Sequence, residues 1–258
     1  MKLSFLAAFV FLVQALPAQT LTELTKPEGS AAKPKPATTK KAAPAEAKKA
    51  KDNEVHTLAV MKIAFGGSEH DIVFELLESK APKTVQNFVD NVDKGIYGGM
   101  AFHRAVDDYL VQTGDPSSKD DANREQWGLT QEYTIPGEFK LPHVLGAVAM
   151  ARRSDKVNPE RHSDGTQFYF VLGNMAQLNG SYTVFGQVVS GMEELKELSR
   201  VMTDSNDCPL ERAEIKKIAV VQQAGPLVTF TKTGSDKKRG TRPDALKGPL
   251  EKFLDRVW

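Results

Sequence analysis

Residues 101–115 have the sequence AFHRAVDDYLVQTGD, in which two short strand patterns flank a turn. We predict strands at Ala101–Arg104 and Leu110–Thr113, because each is a short run carrying apolar or β-branched residues. The turn falls at Asp107-Asp108, where short polar side chains favour a break between strands. Strands this short are more typical of an all-β architecture than of a parallel α/β sheet.

Six further strands are predicted on either side of this stretch. They are Thr57–Ala64, Ile72–Leu76, Ala147–Ala151, Gln167–Leu172, Thr183–Val189 and Glu214–Val221. In the second of them, Ile72, Phe74 and Leu76 alternate toward one face, as in a strand with one buried side. Eight strands of this kind predict a mainly β fold, either a closed antiparallel barrel or a sandwich.

Two helices are predicted beside these strands. Ala81-Pro82 opens the first, because proline is tolerated in the first turn of a helix, and Gly95 ends it. Its apolar stripe, at the spacing i, i+3, i+4, i+7, comprises Val85, Phe88, Val89 and Val92. A shorter helix is predicted at Met192–Ser199. Two helices among eight strands do not fit an alternating α/β fold, so we expect them at the ends of the β structure.

The net charge of +1 conceals an acidic body with basic ends. Residues 55–223 contain 17 basic and 24 acidic residues, whereas the flanking segments contain 17 basic and 9 acidic ones. This balance argues against a strongly basic nucleic-acid binder, and we expect no nucleic-acid partner. The body, residues 55–223, is predicted to be the functional domain.

Residues 1–18 have the features of a signal peptide. The apolar run Leu3–Val13 is too short to span a membrane comfortably but long enough for a signal-peptide core, and Ala15 and Ala18 offer cleavage sites. We therefore expect an exported protein, periplasmic or secreted. The alternatives are an uncleaved anchor and a buried strand. The single cysteine, Cys208, has no partner for an internal disulfide.

Residues 19–54 and 224–258 are predicted to be extensions of the domain. The first contains an Ala/Lys/Pro-rich tract, which we expect to be a disordered linker; the alternative is that its lysines bind an anionic surface, such as membrane lipid or an acidic polymer. The second is basic and ends in a short amphipathic stripe of Leu250, Phe253, Leu254 and Val257. We expect this stripe to pack on the chain's own β structure, the alternatives being a partner or a membrane. A monomer is expected.

Motifs for nucleophilic, metal or phosphate chemistry are missing from the sequence. The five histidines are dispersed, and there is no G-x-S-x-G elbow or phosphate loop. The carboxylate pairs Asp107-Asp108 and Asp120-Asp121 lie in predicted turns, where a solvated loop is the better interpretation. We therefore expect no metal and no cofactor.

A set of collinear motifs nevertheless resembles one family. The motifs are Ala81–Phe88, Gly95–Tyr97, Phe102–Arg104, Gln112–Asp115, Gly146–Ala151, Gly165–Tyr169, Leu178–Gly180 and Val184–Gly186. In order and spacing they resemble the cyclophilin-type peptidyl-prolyl cis/trans isomerases, and an M-A-R, N-P-E and Q-F-Y pattern resembles the bacterial, exported form. The resemblance implies a closed eight-stranded antiparallel β-barrel capped by two α-helices.

The resemblance also implies the residues of the active site. Arg104 would supply a guanidinium beside the X–Pro bond, and Gln112 would help to position it and bind substrate. The implied substrate-binding residues are Phe102, Tyr109, Leu110, Ala151, Arg152, Gln167, Tyr169, Leu178 and Tyr182. His103 is expected to be a buried, hydrogen-bonded structural residue. Gln177 stands where a tryptophan linked to cyclosporin affinity occurs in other members, so weak cyclosporin binding is expected.

The implied function is rotation of X–Pro bonds in proline-containing segments of unfolded or exported proteins. The alternative is a peptide-binding or chaperone module that has the same barrel but isomerises poorly. The presence of both Arg104 and Gln112 favours the enzyme.

Overall fold

The computed structural model describes residues 55–225, together with Leu227 and Leu254. The predicted signal peptide, the predicted linker and most of the C-terminal extension lie outside these residues. Within the described part of the chain, no helix is both long and apolar enough to cross a membrane.

Ten strands and two helices make up the described domain. The strands are β1 Val55–Phe65, β2 Ser68–Leu76, β3 Arg104–Val106, β4 Leu110–Thr113, β5 Thr134–Ile135, β6 Ala147–Met150, β7 Ser163–Asp164, β8 Phe168–Val171, β9 Val184–Ser190 and β10 Glu214–Ala224. The helices are α1 Pro82–Asp93 and α2 Met192–Ser199. β5 and β7 pair only with each other and were not predicted, because two residues are too few to show a periodicity.

The other eight strands form one antiparallel sheet in the order β10-β1-β2-β9-β6-β8-β4-β3. This confirms a mainly β fold with eight principal strands, but the expectation of a closed barrel is wrong, since the sheet is an open half-barrel with edges at β10 and β3. Between these edges, Phe102 donates its N–H to Ala213, and Gly99 and Met100 exchange backbone hydrogen bonds with Ile215. The sheet stays open because β3 begins at Arg104, not at the predicted Ala101, and is only three residues long.

Side-chain alternation along the strands separates the interior from the outer face. On β8, Phe168 and Phe170 point into the main core, while Tyr169 and Val171 belong to a second cluster on the other face. The main core also receives Val85 and Phe88 from the predicted stripe of α1. The Phe88 ring lies 5.2–5.7 Å from the rings of four neighbours, Phe74, Tyr97, Phe168 and Phe185. Each fully buried aromatic of this kind contributes about 1.5–3 kcal/mol.

Three further apolar clusters lie outside this core, and two of them belong to the outer face of the sheet. The site cluster is built on β4, β6, β8 and the start of β9 and contains the buried residues Leu110, Ala147, Ala149, Tyr169, Val171, Met175 and Val184. The outer patch is formed by Leu58 and Val60 of β1 with Val73 of β2, and Leu254 is buried against it. For Leu254 this agrees with the expectation that the C-terminal stripe packs on the chain's own sheet. The rest of that stripe lies outside the described residues.

Candidate active site

Arg104, Gln112 and Tyr169 form a row across three neighbouring strands. Arg104 of β3 is directly opposite Gln112 of β4, which is directly opposite Tyr169 of β8. Residues paired in this way project from the same face of a sheet, with Cβ atoms about 4.5–5.5 Å apart. The register therefore brings the two predicted catalytic residues to the border of the site cluster.

Arg104 and Gln112 have different hydrogen-bond partners. Arg104 Nε donates to Asp207 Oδ2 at 3.3 Å, and its side chain is 44% exposed. Gln112 Nε2 donates instead to Gln167 Oε1 at 3.1 Å, and Gln167 Nε2 in turn donates to the carbonyl oxygen of Thr130 at 2.6 Å. In this structure the Arg104 guanidinium is thus hydrogen-bonded to Asp207, and no hydrogen bond joins it to Gln112 among the described residues.

Six of the predicted substrate-binding residues lie together in the site cluster. Leu110 and Tyr169 are buried in it, and four partly buried residues pack against it, namely Tyr109, Ala151, Leu178 and Tyr182. Phe102 does not join them. It is 1% exposed and packs in the main core. Phe102 and Arg104 would share a face in a regular strand, but β3 begins only at Arg104, so the alternation does not extend back to Phe102.

Two of the three tyrosines in the cluster, Tyr169 and Tyr109, have hydrogen-bonded hydroxyls. Asn179 Oδ1 accepts from the backbone N–H of His143 at 2.8 Å and lies 3.1 Å from His143 Nδ1. The Asn179 atom that faces His143 is an oxygen, because it accepts from the backbone N–H, so it also accepts from Nδ1–H of the ring. Nε2 of His143 therefore carries the lone pair and accepts from the Tyr169 hydroxyl at 3.0 Å. Burial lowers the pKa of His143 and raises the pKa of the Tyr169 hydroxyl above its usual range. Gln177 Nε2 similarly donates to the Tyr109 hydroxyl at 2.8 Å.

Arg152 covers one side of the cluster. Its guanidinium lies 4.4 Å from the centre of the Tyr182 ring, a cation–π contact, and its Nε donates to the carbonyl of Ser181. Hydrogen bonds from Arg152 and Arg161 lower the pKa of Asp155. Because the Ser181 carbonyl and the Tyr182 ring hold this guanidinium, the side chain acts here as a wall of the site.

The backbone of Ala151 is engaged within the fold. Its N–H donates to the carbonyl of Gln167, and its own carbonyl accepts from the N–H of Asp164. Binding of an extended substrate by the backbone near Ala151 and Arg152 stays a prediction, and any such contact would be made beside these two hydrogen bonds. The amide of Gln167 is likewise engaged at its nitrogen and its oxygen.

A cleft of about 990 Å³ opens beside Arg104 and Gln112. Its other walls are residues 122–129 and the connection that carries Asp204, Asn206 and Cys208. His103 also lines it and is buried as expected, but within the described chain neither ring nitrogen has a hydrogen-bond partner, contrary to the prediction. The ring packs against Gly128, where a Cβ would approach it to 3.0 Å. Burial lowers the pKa of His103 to about 4.

Several residues of this region were missed in the sequence. They are Thr130, His143, Asn179 and Asp207. Three of them, Thr130, His143 and Asp207, form hydrogen bonds with predicted site residues that are 26 to 103 positions away along the chain. Asn179 acts indirectly, through its hydrogen bonds with His143. No local pattern marks them, because each acts through a tertiary contact. Across the described residues, no group of three or more His, Cys, Asp or Glu side chains is placed to hold a metal ion.

Comparison with known proteins identifies the family. The model of the cyclophilin type peptidyl-prolyl cis-trans isomerase/CLD family matches residues 60–220. A peptidyl-prolyl cis-trans isomerase-like 1 from Aspergillus niger is 31% identical over 163 residues, which are 63% of this chain and 96% of the relative. A human peptidyl-prolyl cis-trans isomerase-like 3 is 33% identical over 153 residues, 58% of this chain and 89% of the relative.

A solved structure agrees with these relatives. The cyclophilin-type isomerase of Cryptosporidium parvum is 26% identical, with a TM-score of 0.56, and the alignment covers 66% of this chain and 99% of that one. These relatives are eukaryotic, so they give no support to the expected bacterial, exported form. The matched family, the half-barrel and the row of Arg104, Gln112 and Tyr169 lead to one conclusion: this chain belongs to the cyclophilin-type peptidyl-prolyl cis-trans isomerases.

Proposed function

We propose that this isomerase rotates X–Pro bonds with Arg104 as its catalytic residue, in a substrate bound against the site cluster. Rotation about a peptide bond breaks amide resonance over a barrier of about 18–20 kcal/mol, and no covalent bond is made or broken. Such a reaction requires no nucleophile. It requires a surface that holds the proline ring and a donor that stabilises the twisted amide.

A guanidinium can act as this donor. As the amide twists, the prolyl nitrogen becomes pyramidal and regains its lone pair, to which an N–H of Arg104 can donate. This hydrogen bond is available mainly in the transition state, so it lowers the barrier and does not merely tighten substrate binding. Arg104 is half exposed beside a cleft, with its Nε on Asp207, which leaves its two terminal amino groups for a substrate.

The site cluster is the surface that would hold the proline ring. Leu110, Leu178 and the rings of Tyr109 and Tyr169 are contiguous there. The tyrosine hydroxyls need not be desolvated by the proline, because Gln177 and His143 already occupy them. A related structure was solved in the presence of the dipeptide Ala-Pro, which makes a proline peptide the appropriate probe for this chain.

The observation that carries this proposal is the adjacency of Arg104 to the site cluster through the Arg104–Gln112–Tyr169 register. Its test is an NMR exchange assay on an X–Pro peptide with the wild type and Arg104→Ala. Loss of one preorganised donor typically costs about 100-fold or more in rate, and we expect a loss of that size with unchanged thermal stability. Equal rates for the two proteins would overturn the role of Arg104.

A second candidate is a peptide-binding or chaperone module with little isomerase activity. The observation in its favour is the Arg104–Asp207 pair, because a neighbouring carboxylate offsets part of the guanidinium charge. Peptide binding without catalysis in the same assay would support this candidate.

We further propose that the protein is exported and assists the folding of exported proteins at proline bonds. It acts as a monomer, and its contact with a membrane is limited to an uncleaved signal peptide or the basic linker. Support comes from the apolar run Leu3–Val13 followed by small residues. Expression of the full chain in a bacterium, followed by fractionation and sequencing of the mature N-terminus, tests the export. A cytosolic protein that retains residues 1–18 would contradict it.

A further inference from the structure

The connection between α2 and β10 is built to present one carboxylate to Arg104. Asp204 organises it, since its Oδ1 accepts from the N–H groups of Asn206 at 2.8 Å and Cys208 at 3.0 Å. The N–H of Asp204 donates to the carbonyl of Cys208 at 2.9 Å, which closes the turn. A turn with this many internal hydrogen bonds holds the residue enclosed in it, Asp207, in one orientation.

The backbone of Asp207 is attached to β3 beside Arg104. Its carbonyl accepts from the N–H of Ala105 at 2.8 Å, and its own N–H donates to the carbonyl of Asp204. Asp207 has a φ of +62°, in the left-handed region where a residue with a short polar side chain is tolerated better than most others. The turn therefore projects the carboxylate next to the strand residue that carries the guanidinium.

The contact at Nε orients Arg104 without occupying its terminal amino groups. Asp207 Oδ2 accepts from Nε at 3.3 Å and is the one hydrogen-bond partner of this guanidinium among the described residues. A guanidinium is planar, so a hydrogen bond at Nε restricts the direction in which its other donors point. Both side chains are nearly half exposed, so the pair contributes little to stability and its main effect is orientation.

We propose that Asp207 is a positioning residue for Arg104 in the isomerase reaction. The proposal rests on the catalytic role of Arg104 given above. Asp207 does not touch the substrate, and it holds the guanidinium at the angle from which a terminal N–H reaches the prolyl nitrogen of the twisted amide. Since that contact forms in the transition state, removal of the Asp207 carboxylate lowers kcat and leaves KM nearly unchanged.

Two substitutions separate the carboxylate from its backbone. Asp207→Gly keeps the left-handed conformation and removes the acceptor, whereas Asp207→Asn keeps an amide oxygen that can still accept from Nε. We expect a kcat about two- to fivefold lower for Asp207→Gly, the size that an exposed ion pair supports, and an intermediate value for Asp207→Asn. Glu211→Gln is the matched control, because it removes an exposed carboxylate from the same connection without touching Arg104, and its kcat should equal that of the wild type.

The decisive measurement is the same pair of substitutions in the Arg104→Ala background. A positioning residue has nothing left to position there, so Asp207→Gly should cause no further loss. An equal fold loss in both backgrounds would identify a structural role and overturn the proposal, as would a kcat for Asp207→Gly at or above that of the wild type. An inactive wild type, or a wild type equal to Arg104→Ala, would instead overturn the proposed function itself.

Discussion

Two parts of the outer face of one sheet have contrasting surroundings. The outer patch of Leu58, Val60 and Val73 is aliphatic and covered by Leu254. The site cluster combines the buried Tyr169, which is hydrogen-bonded to His143, with the partly buried Tyr109, which is hydrogen-bonded to Gln177. β9 lies between β2 and β6 in the sheet and contributes to both surfaces, since Val184 belongs to the site cluster and Val189 packs against the outer patch. The same alternation therefore produces a covered surface that supports stability and an accessible one that can bind a ligand.

The largest expected effect is a pH dependence of stability that comes from His103, in the cleft beside Arg104 and Gln112. Burial holds the pKa of His103 at about 4, with a smaller opposing contribution from Asp115 and a reinforcing one from Arg104. The unfolded chain protonates this histidine near pH 6.5 while the folded protein does not, so stability is complete above pH 6.5 and falls as the pH drops toward 4. The loss reaches about 3 kcal/mol.

Urea unfolding between pH 7 and pH 4.5 measures this effect, with His103→Gln as the comparison. The variant should show a flatter pH profile, since its side chain does not titrate. His143 has its pKa lowered in the same direction and should leave a smaller residual slope in the variant. An identical slope in both proteins would show that His103 does not contribute.

The next effect concerns the outer patch. Truncation after Gly225 removes Leu254 and exposes Leu58, Val60 and Val73, so we expect a loss of about 2–3 kcal/mol in unfolding free energy. Isomerase activity of the folded fraction should not change. Leu254→Ala should reproduce most of the loss, whereas Leu129→Ala, at a side chain 58% exposed, should stay within about 0.5 kcal/mol of the wild type. An unchanged unfolding free energy after truncation would show that burial of the outer patch by Leu254 does not stabilise the fold.

The smallest effect distinguishes Tyr169 from Tyr109, two of the three tyrosines of the site cluster. Tyr169→Phe removes the hydroxyl that donates to His143 Nε2 and leaves a buried acceptor without a partner, at a cost of about 1–2 kcal/mol. Tyr109→Phe is the control, because Tyr109 is more exposed and water can replace its hydrogen bond to Gln177. Thermal melts of both variants test this difference. A larger loss for Tyr109→Phe would contradict the assignment of the buried pair.

Much of the fold and part of the site followed from local patterns. The strand predictions and the stripe of α1 depend on periods of two and 3.6 residues, which neighbouring residues carry by themselves. The strand patterns placed Arg104 and Gln112 on two consecutive strands, and the structure shows that these strands pair with the two residues opposite each other.

Where regular backbone geometry ends, these predictions fail. Phe102 was expected in the site but packs in the core, because β3 begins two residues later. The predicted barrel does not close for the same reason: β3 is too short to pair with the opposite edge of the sheet. His103 was expected to be hydrogen-bonded and has no such partner within the described chain.

The sequence by itself determined which residues are apolar, how they alternate and which motifs follow one another along the chain. Only the tertiary structure decided the partners of the polar side chains. Asp207 lies 103 residues from Arg104 and His143 lies 26 residues from Tyr169, yet hydrogen bonds join both pairs. The physical reason is that periodicity depends on neighbours in the chain, whereas a hydrogen bond depends on where two distant loops place their atoms to within a few tenths of an ångström.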